Sequence, residues 1–371
     1  MTRPTVRDDV ALMAGYHSPQ LDVAVRLNTN EAPEPPPVEF RQRLTEAIAT
    51  LDWHRYPDRS AGELRARIAQ IEGLVGGTTG GTTGGASSGS EQVFVANGSN
   101  EVLQTVMLAY GGAGRTAVTF EPTYALHGHI SRVAGTRVVE GERTDDFALD
   151  LDHVGAVIAA ERPTVTFLCS PNNPTGMVES EDTVRRVLAM VEAVDGLLVV
   201  DEAYGQFAQW SAISLVDEDT PLVVTRTYSK TWSMAAARLG YLIGPSWVVA
   251  ELDKVVLPYH LDAAKQAAGL IALEFEDQMR ARVAALVEER GRVEAALDVM
   301  AVDRWPSGAN FILFRPRSMG GTEVWKAMVD QGVLVRNCAP WPRLGDCLRV
   351  TLGTAAENDL FLSALADALE S

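Results

Sequence analysis

Residues Thr164–Asp201 read TVTFLCSPNNPTGMVESEDTVRRVLAMVEAVDGLLVVD. Two short apolar runs, TVTFL (164–168) and GLLVV (196–200), flank a stretch whose Val184, Val187, Leu188 and Val191 recur at helical spacing. Ser180 can cap that helix, Glu181 and Asp182 suit its positive first turn, and Gly196 can end it. The apolar runs do not alternate with polar residues, so both faces of each strand are buried, as in a parallel sheet covered by helices. The segment predicts a strand–helix–strand unit, and hence an α/β fold.

Working outward, QVFVA (92–96), TAVTF (116–120) and LVVTR (222–226) repeat the buried-strand pattern between helical stretches. They predict one large, mostly parallel sheet flanked by helices. After Pro258 the pattern changes to an alanine-rich helical region over 263–300, then strands ANFILF (309–314) and CLRVTL (347–352) and a last helix over 355–369. This predicts a smaller α+β unit over 261–371, a large unit over 51–260, and an N-terminal segment, 1–50, joining the small one. Gly76–Ser90, GGTTGGTTGGASSGS, lacks the lysine ending of a phosphate-binding loop and reads as a surface loop without function.

The 371 residues are 46% hydrophobic and 22% charged, with a formal net charge of −17. That charge opposes nucleic acid and anionic membranes, so an anionic ligand must be drawn by a local arginine cluster. Cys169, Cys338 and Cys347 show no disulfide or zinc spacing, the six histidines form no metal motif, and no run reaches membrane-spanning length. A cytoplasmic protein without a metal is expected.

Open α/β sheets bind ligands at the carboxyl ends of their strands. Asp201 and Tyr204 follow GLLVV, and Asn173 lies in the turn after TVTFL. Gly98 permits a tight turn after QVFVA, and Ser99 and Asn100 open a helix whose free amides suit a phosphate. The stretch TRTYSKTWSMAAARLGY (225–241) sets Ser229, Lys230 and Arg238 among hydroxyls with no acid nearby. Each residue alone has an ordinary structural reading. In chain order, with the aromatic ring of Tyr124, they supply a phosphate cup, a stacking surface, partners for a pyridine nitrogen and a phenolate, and an amine. Those are the needs of pyridoxal 5′-phosphate.

Taken with RLNTNEAP (26–33), HRYPD (54–58), ANGSNE (96–101), SPNNPTG (170–176), VVDEAYG (199–205), RTYSK (226–230), GVLVRN (332–337) and CLRVTLGT (347–354), the chain resembles the fold-type-I pyridoxal-phosphate-dependent aminotransferases, and among them those acting on histidinol phosphate. The resemblance implies that Lys230 carries the cofactor covalently and moves the substrate proton; unpaired and close to Arg238, it should have a lowered pKa. It implies that Ser229, Arg238, Thr227 and the Ser99 and Asn100 amides bind the cofactor phosphate. Asp201 would keep the pyridine nitrogen protonated, and Tyr204 and Asn173 would meet the phenolate side. Arg349 would grip a substrate carboxylate, Arg336 and Tyr16 a substrate phosphate, and Asn30 and Glu31 would sit on a segment covering the site. Tyr56 would reach the cofactor phosphate of a partner subunit across a homodimer. The implied reaction passes the amino group of L-histidinol phosphate to 2-oxoglutarate in histidine biosynthesis; the alternatives are an aromatic amino acid donor, decarboxylation of a phosphorylated amino acid, or a sensor without turnover.

The family's usual Asn-Glu-Asn-Pro is here Asn30-Glu31-Ala32-Pro33, and the run after the lysine is Thr231-Trp232-Ser233-Met234-Ala235-Ala236, with alanine where glycine is common. Trp232 is expected to repack behind the cofactor. The stretch NCAPWPRLGD (337–346) is unusually rich in Pro and Trp beside the expected phosphate pocket.

Overall fold

The strand–helix–strand unit forms as its residues predict. In the computed structural model, which describes residues 4–11, 13, 15, 21–74 and 89–370, strands Val165–Cys169 and Leu197–Asp201 pair in parallel from Val165 opposite Leu197 to Cys169 opposite Asp201. The Ser180 hydroxyl accepts from the Thr183 amide at 3.1 Å to cap helix Glu181–Glu192, which buries Val184, Val187, Leu188 and Val191. Tyr16 and residues 76–88 of the glycine-rich stretch lie outside the described residues.

In chain order the strands are β1 (Val25–Leu27), β2 (Val93–Ala96), β3 (Thr116–Glu121), β4 (Arg137–Glu142), β5 (Val165–Cys169), β6 (Leu197–Asp201), β7 (Leu222–Thr227), β8 (Gly240–Ile243), β9 (Val302–Arg304), β10 (Phe311–Pro316), β11 (Val333–Asn337) and β12 (Leu348–Thr351). Seven form one sheet in the order β2-β8-β7-β6-β5-β3-β4. Only β8 runs against its neighbours, so the sheet is mostly parallel. Its carboxyl edge carries Asp201, Thr227 and the turn that follows β5.

The other five strands form a second sheet, β1-β11-β12-β10-β9, with β1 parallel to β11 and the remaining pairs antiparallel. The N-terminal segment serves both cores. Its β1 completes the second sheet, while its helix Val38–Ala49 packs on helix Ala263–Leu273 in the core of the first, where Phe40 meets Phe275 edge-on at 6.3 Å. Helix Ala263–Leu273 therefore sits with the seven-stranded sheet, although it follows residue 261. The chain passes from one core to the other inside helix Glu276–Asp298, which buries Met279 in the first and Leu286, Val293 and Leu297 in the second. The sequence pattern shows one helical region there, with no apolar signature telling which core each turn meets.

Candidate active site

A cavity of about 630 Å³ opens between the carboxyl ends of β5, β6 and β7 and the second sheet. Among the described residues its charged lining is Lys230, Arg238, Arg336 and Arg349 against Glu31 and Asp201. Four cations face two acids on a chain of net charge −17. Such a local excess draws an anion into a cleft despite the opposing charge of the whole molecule.

One end of the cavity gathers donors of the kind a phosphate accepts from. Helix Ser99–Tyr110 begins at Gly98, and the amides of Ser99 and Asn100 fall in the first turn, where no preceding helical carbonyl can receive them. Gly98 has φ of +85°, and a Cβ there would stand 2.8 Å from the Arg238 guanidinium. Glycine thus permits both the turn and the close approach of the arginine. Arg238 donates to the Ser229 hydroxyl at 3.3 Å and to the Ala235 carbonyl at 3.4 Å. Thr227 donates to Ser229 at 2.9 Å, so the two hydroxyls form one chain. Among the described residues no carboxylate pairs with Arg238, which keeps its charge for a ligand.

The backbone after Lys230 takes the left-handed region at Ser233 (φ 56°) and Arg238 (φ 50°), while the substituted alanines keep ordinary angles. Arg282 holds that turn by donating to the Thr231 carbonyl at 3.1 Å and the Ser233 hydroxyl at 2.6 Å. Trp232 is buried in the large core, stacked on Tyr228 at 5.6 Å, and does not line the cavity.

Asp201 sits at the end of β6, 1% exposed. Its Oδ1 accepts from the Thr225 hydroxyl and the Ala203 amide, each at 3.1 Å, and its Oδ2 meets His127 Nε2 at 3.0 Å. His127 is fully buried, stacked on Phe167 at 4.8 Å with rings 5° from parallel, and edge-on to Tyr124. The sequence reading passed over His127. Its signal was present, because His127 stands three residues after Tyr124, one helical turn on. Tyr124 donates to the Asn100 side chain at 3.1 Å, tying the stacking surface to the phosphate end.

Lys230 reaches the cavity from the turn after β7 and donates to the Thr29 carbonyl at 3.2 Å. Its pKa is lowered to about 8, first by burial, then by the Arg349 charge, with Arg238 a lesser contributor and Glu31 opposing. The lowered pKa is as expected and Arg238 contributes to it, while burial and an arginine of the other sheet act more strongly. Tyr204 accepts from Asn30 Nδ2 at 2.9 Å, and burial pushes its pKa up to about 12. Asn30, with φ of 54°, also accepts from the Thr351 hydroxyl at 3.0 Å, so the N-terminal segment is pinned across the cavity mouth by both sheets.

Arg349 on β12 is buried, donates to the Asn173 side chain and to the Asn28 carbonyl at 3.1 Å, and lies over the Phe311 ring at 5.0 Å. Its Nε has no partner, and among the described residues no acid pairs with it. Arg336 on β11 stands directly opposite Arg349 and lies over the Trp341 ring at 5.1 Å. The structure thus brings together Ser99, Asn100, Tyr124, Asn173, Asp201, Tyr204, Thr227, Ser229, Lys230, Arg238, Arg336, Arg349 and Asn30 around one cavity. Tyr56 is not among its lining residues. It is 80% exposed and stacked on Tyr259 at 4.5 Å.

A family model described as aminotransferase class I and II matches residues 22–365. The chain belongs to this aminotransferase family. It is similar to the histidinol-phosphate aminotransferase of Mycobacterium sp. (strain JLS), 41% identical over 370 residues that cover 99% of this chain and 94% of that one. The protein of the same name from Mycobacterium avium (strain 104) is 43% identical over 97% of this chain and 88% of its own length. A solved histidinol-phosphate aminotransferase from Sinorhizobium meliloti, in complex with pyridoxal-5′-phosphate, superposes with a TM-score of 0.79 at 23% identity, covering 94% of this chain and 91% of that one.

The family is pyridoxal-phosphate-dependent, and the residues of this cavity fit that group. A helix amino end, an arginine without an acid and two linked hydroxyls suit the phosphate. A buried carboxylate suits the protonated ring nitrogen, and a lysine with a depressed pKa suits the aldehyde. The membership also removes the reading as a sensor without turnover. Among the described residues no helix is long and apolar enough to cross a membrane, and no group of His, Cys, Asp or Glu is placed to hold a metal.

Proposed function

We propose that this enzyme transfers the amino group of L-histidinol phosphate to 2-oxoglutarate, giving imidazole acetol phosphate and glutamate in histidine biosynthesis. The observation that carries the reading is the cross-strand pair of Arg336 and Arg349, both lining the cavity that Lys230 enters. Like charges directly opposite each other destabilise a sheet, so a pair kept there is suited to an anionic ligand. L-Histidinol phosphate offers a phosphate and no carboxylate, whereas 2-oxoglutarate offers two carboxylates. Two adjacent guanidiniums can serve both, because each presents forked donors that match either anion. The names of the mycobacterial relatives support the same donor.

When bound, pyridoxal phosphate supplies a conjugated ring that takes up the electron pair left when the substrate carbon loses its proton. Ser99, Asn100, Ser229 and Arg238, with Thr227 behind Ser229, would hold its phosphate, and Asp201 would keep the proton on its ring nitrogen. Lys230 Nζ, neutral above a pKa of about 8, takes the proton from the substrate carbon and returns it. Tyr204 stays protonated at neutral pH, and because its oxygen already accepts from Asn30, its own proton is free to be donated into the cavity. Asn173 and Asn28 orient Arg349, and the pinned N-terminal segment keeps water from the reacting atoms.

Purified enzyme should convert fast with L-histidinol phosphate and slowly with L-phenylalanine when single-turnover loss of cofactor absorbance is followed. A faster reaction with L-phenylalanine would move the chain to the aromatic aminotransferases. Arg336→Ala should raise the KM for L-histidinol phosphate about 30-fold or more, since truncating one partner of a buried charge-assisted contact costs about 2–5 kcal/mol. L-Phenylalanine, which has no second anion, should be nearly unaffected, and equal losses with both donors would refute the phosphate role.

We further propose a homodimer in which Tyr56 reaches the cofactor phosphate of the partner subunit. Trp53 and Leu257 are exposed near it in sequence or through Tyr259, giving an apolar surface for the second copy to cover. Sedimentation of the wild-type chain should give a dimer, and a monomer with full activity would overturn the shared site. The buried free thiols Cys169, Cys338 and Cys347 suit the reducing cytoplasm, where this pathway is proposed to place the enzyme.

A further inference from the structure

The loop between β11 and β12 joins Arg336 to Arg349, and Trp341 lies near its middle. Four backbone hydrogen bonds fold it: Cys338 N to Cys347 O at 3.0 Å, Trp341 N to Cys338 O at 2.9 Å, Leu344 N to Trp341 O at 3.1 Å and Cys347 N to Leu344 O at 2.9 Å. Cys338, Leu344 and Cys347 are buried with Phe147 and Leu313 in a small core of their own. Beyond Trp341, Arg343 donates to the Glu142 carboxylate at 2.6 Å and the Arg143 carbonyl at 2.7 Å, at the end of β4 in the other sheet. Arg343 itself has φ of 64°, a conformation kept only where its surroundings hold it. The loop is therefore held on both sides of Trp341, whose indole packs against the small core, faces Arg336 and lines the cavity.

An aromatic face restrains a guanidinium through its quadrupole without adding a negative charge beside it. A carboxylate in that place would neutralise the cation and compete with an incoming anion. We propose that Trp341 is a specificity-determining residue, fixing the Arg336 guanidinium so that its N–H donors meet the phosphate of the amino donor. The inference rests on the function proposed above. It makes Trp341 a positioning residue, acting through Arg336 on substrate binding and not on proton transfer. The cost of losing it falls on the phosphorylated donor and not on a donor such as L-phenylalanine, which has no second anion to set against Arg336.

The test uses the cofactor-loaded enzyme with Trp341→Leu, which keeps apolar volume without the ring face, and Trp341→Phe, which restores a ring. Trp341→Leu is expected to raise the KM for L-histidinol phosphate about 10-fold with kcat changed less than about twofold, and Trp341→Phe to recover most of the loss. The affinity of the loaded enzyme for inorganic phosphate, measured by calorimetry, should weaken in the same order. A loss of kcat at unchanged KM, or leucine behaving as wild type in both measurements, would overturn the proposal. If wild-type enzyme fails to use L-histidinol phosphate, the proposed donor falls, and phosphate affinity alone then decides: about 10-fold weakening in Trp341→Leu keeps the role of Trp341, and equal affinity removes it.

Discussion

Lys230→Ala is expected to lower turnover by about four orders of magnitude or more while leaving the fold intact. The side chain lies at the cavity edge and makes one hydrogen bond, to the Thr29 carbonyl, so its removal leaves only that acceptor unserved. The chemical loss is far larger, since one amine both attacks the cofactor aldehyde and carries the substrate proton, and positioned acid–base catalysis alone contributes about 10²–10⁴-fold. Added methylamine should restore part of the rate, because a small amine can enter the space left and move the proton; no rescue, with activity within about 10-fold of wild type, would mean that another base does the work. The pH dependence has a definite sign. The pKa of Lys230 lies at about 8, below its ordinary 10.5, so the neutral amine gains population as pH rises through 8. Uptake of the cofactor by the cofactor-free enzyme should therefore quicken between about pH 7 and 9 and then level off. Arg349→Met should move that midpoint upward, since the Arg349 charge is the largest electrostatic cause of the depression. An unchanged midpoint would remove Arg349 as a cause and leave burial and Arg238 to account for the depression.

Much of this arrangement was legible before any coordinates, and the parts that were not share a physical reason. The strand–helix–strand unit could be read because its apolar spacing, cap and terminator are all local, within Thr164–Asp201. Lys230, Asp201 and Arg238 could be read because each follows a strand end or a turn whose residues are contiguous. The strands β1 and β9 are only three residues each, too short for a period to emerge, and β1 pairs with a strand more than 300 positions away. The contacts that orient Arg349 come from the backbone of Asn28 and the side chain of Asn173, and a backbone carbonyl carries no residue signature. Arg336 was visible as a charge, but its place against Trp341 depends on a loop fold that Arg343 anchors to the other sheet. For Lys230 the larger causes were also tertiary: Arg238 is near in sequence and contributes, whereas burial and Arg349, which act more strongly, arise through space.

Asp201 carries the second large expected effect, and its surroundings separate a chemical role from a structural one. Asp201→Asn should cut kcat about a thousandfold with a much smaller loss of thermal stability than Asp201→Ala. Thr225 and Ala203 both donate to Oδ1, and an asparagine keeps that oxygen as an acceptor. The amide would then face His127 Nε2 in place of Oδ2. His127 can accept from it by shifting its own proton to Nδ1, an atom with no partner, so the exchange costs one unsatisfied buried N–H, about 1–3 kcal/mol. What asparagine cannot supply is a negative charge. A neutral amide no longer favours the protonated ring nitrogen, and without that proton the ring is a poor acceptor for the electron pair at the substrate carbon. Asp201→Ala should lose both activity and stability, because it strands the Thr225, Ala203 and His127 donors together. Measuring kcat and melting temperature for the two variants decides the matter: asparagine within about 10-fold of wild type would show that the carboxylate only orders its neighbours, whereas a kcat loss as large as that of alanine, with a melting temperature clearly above that of alanine, places its contribution in the charge.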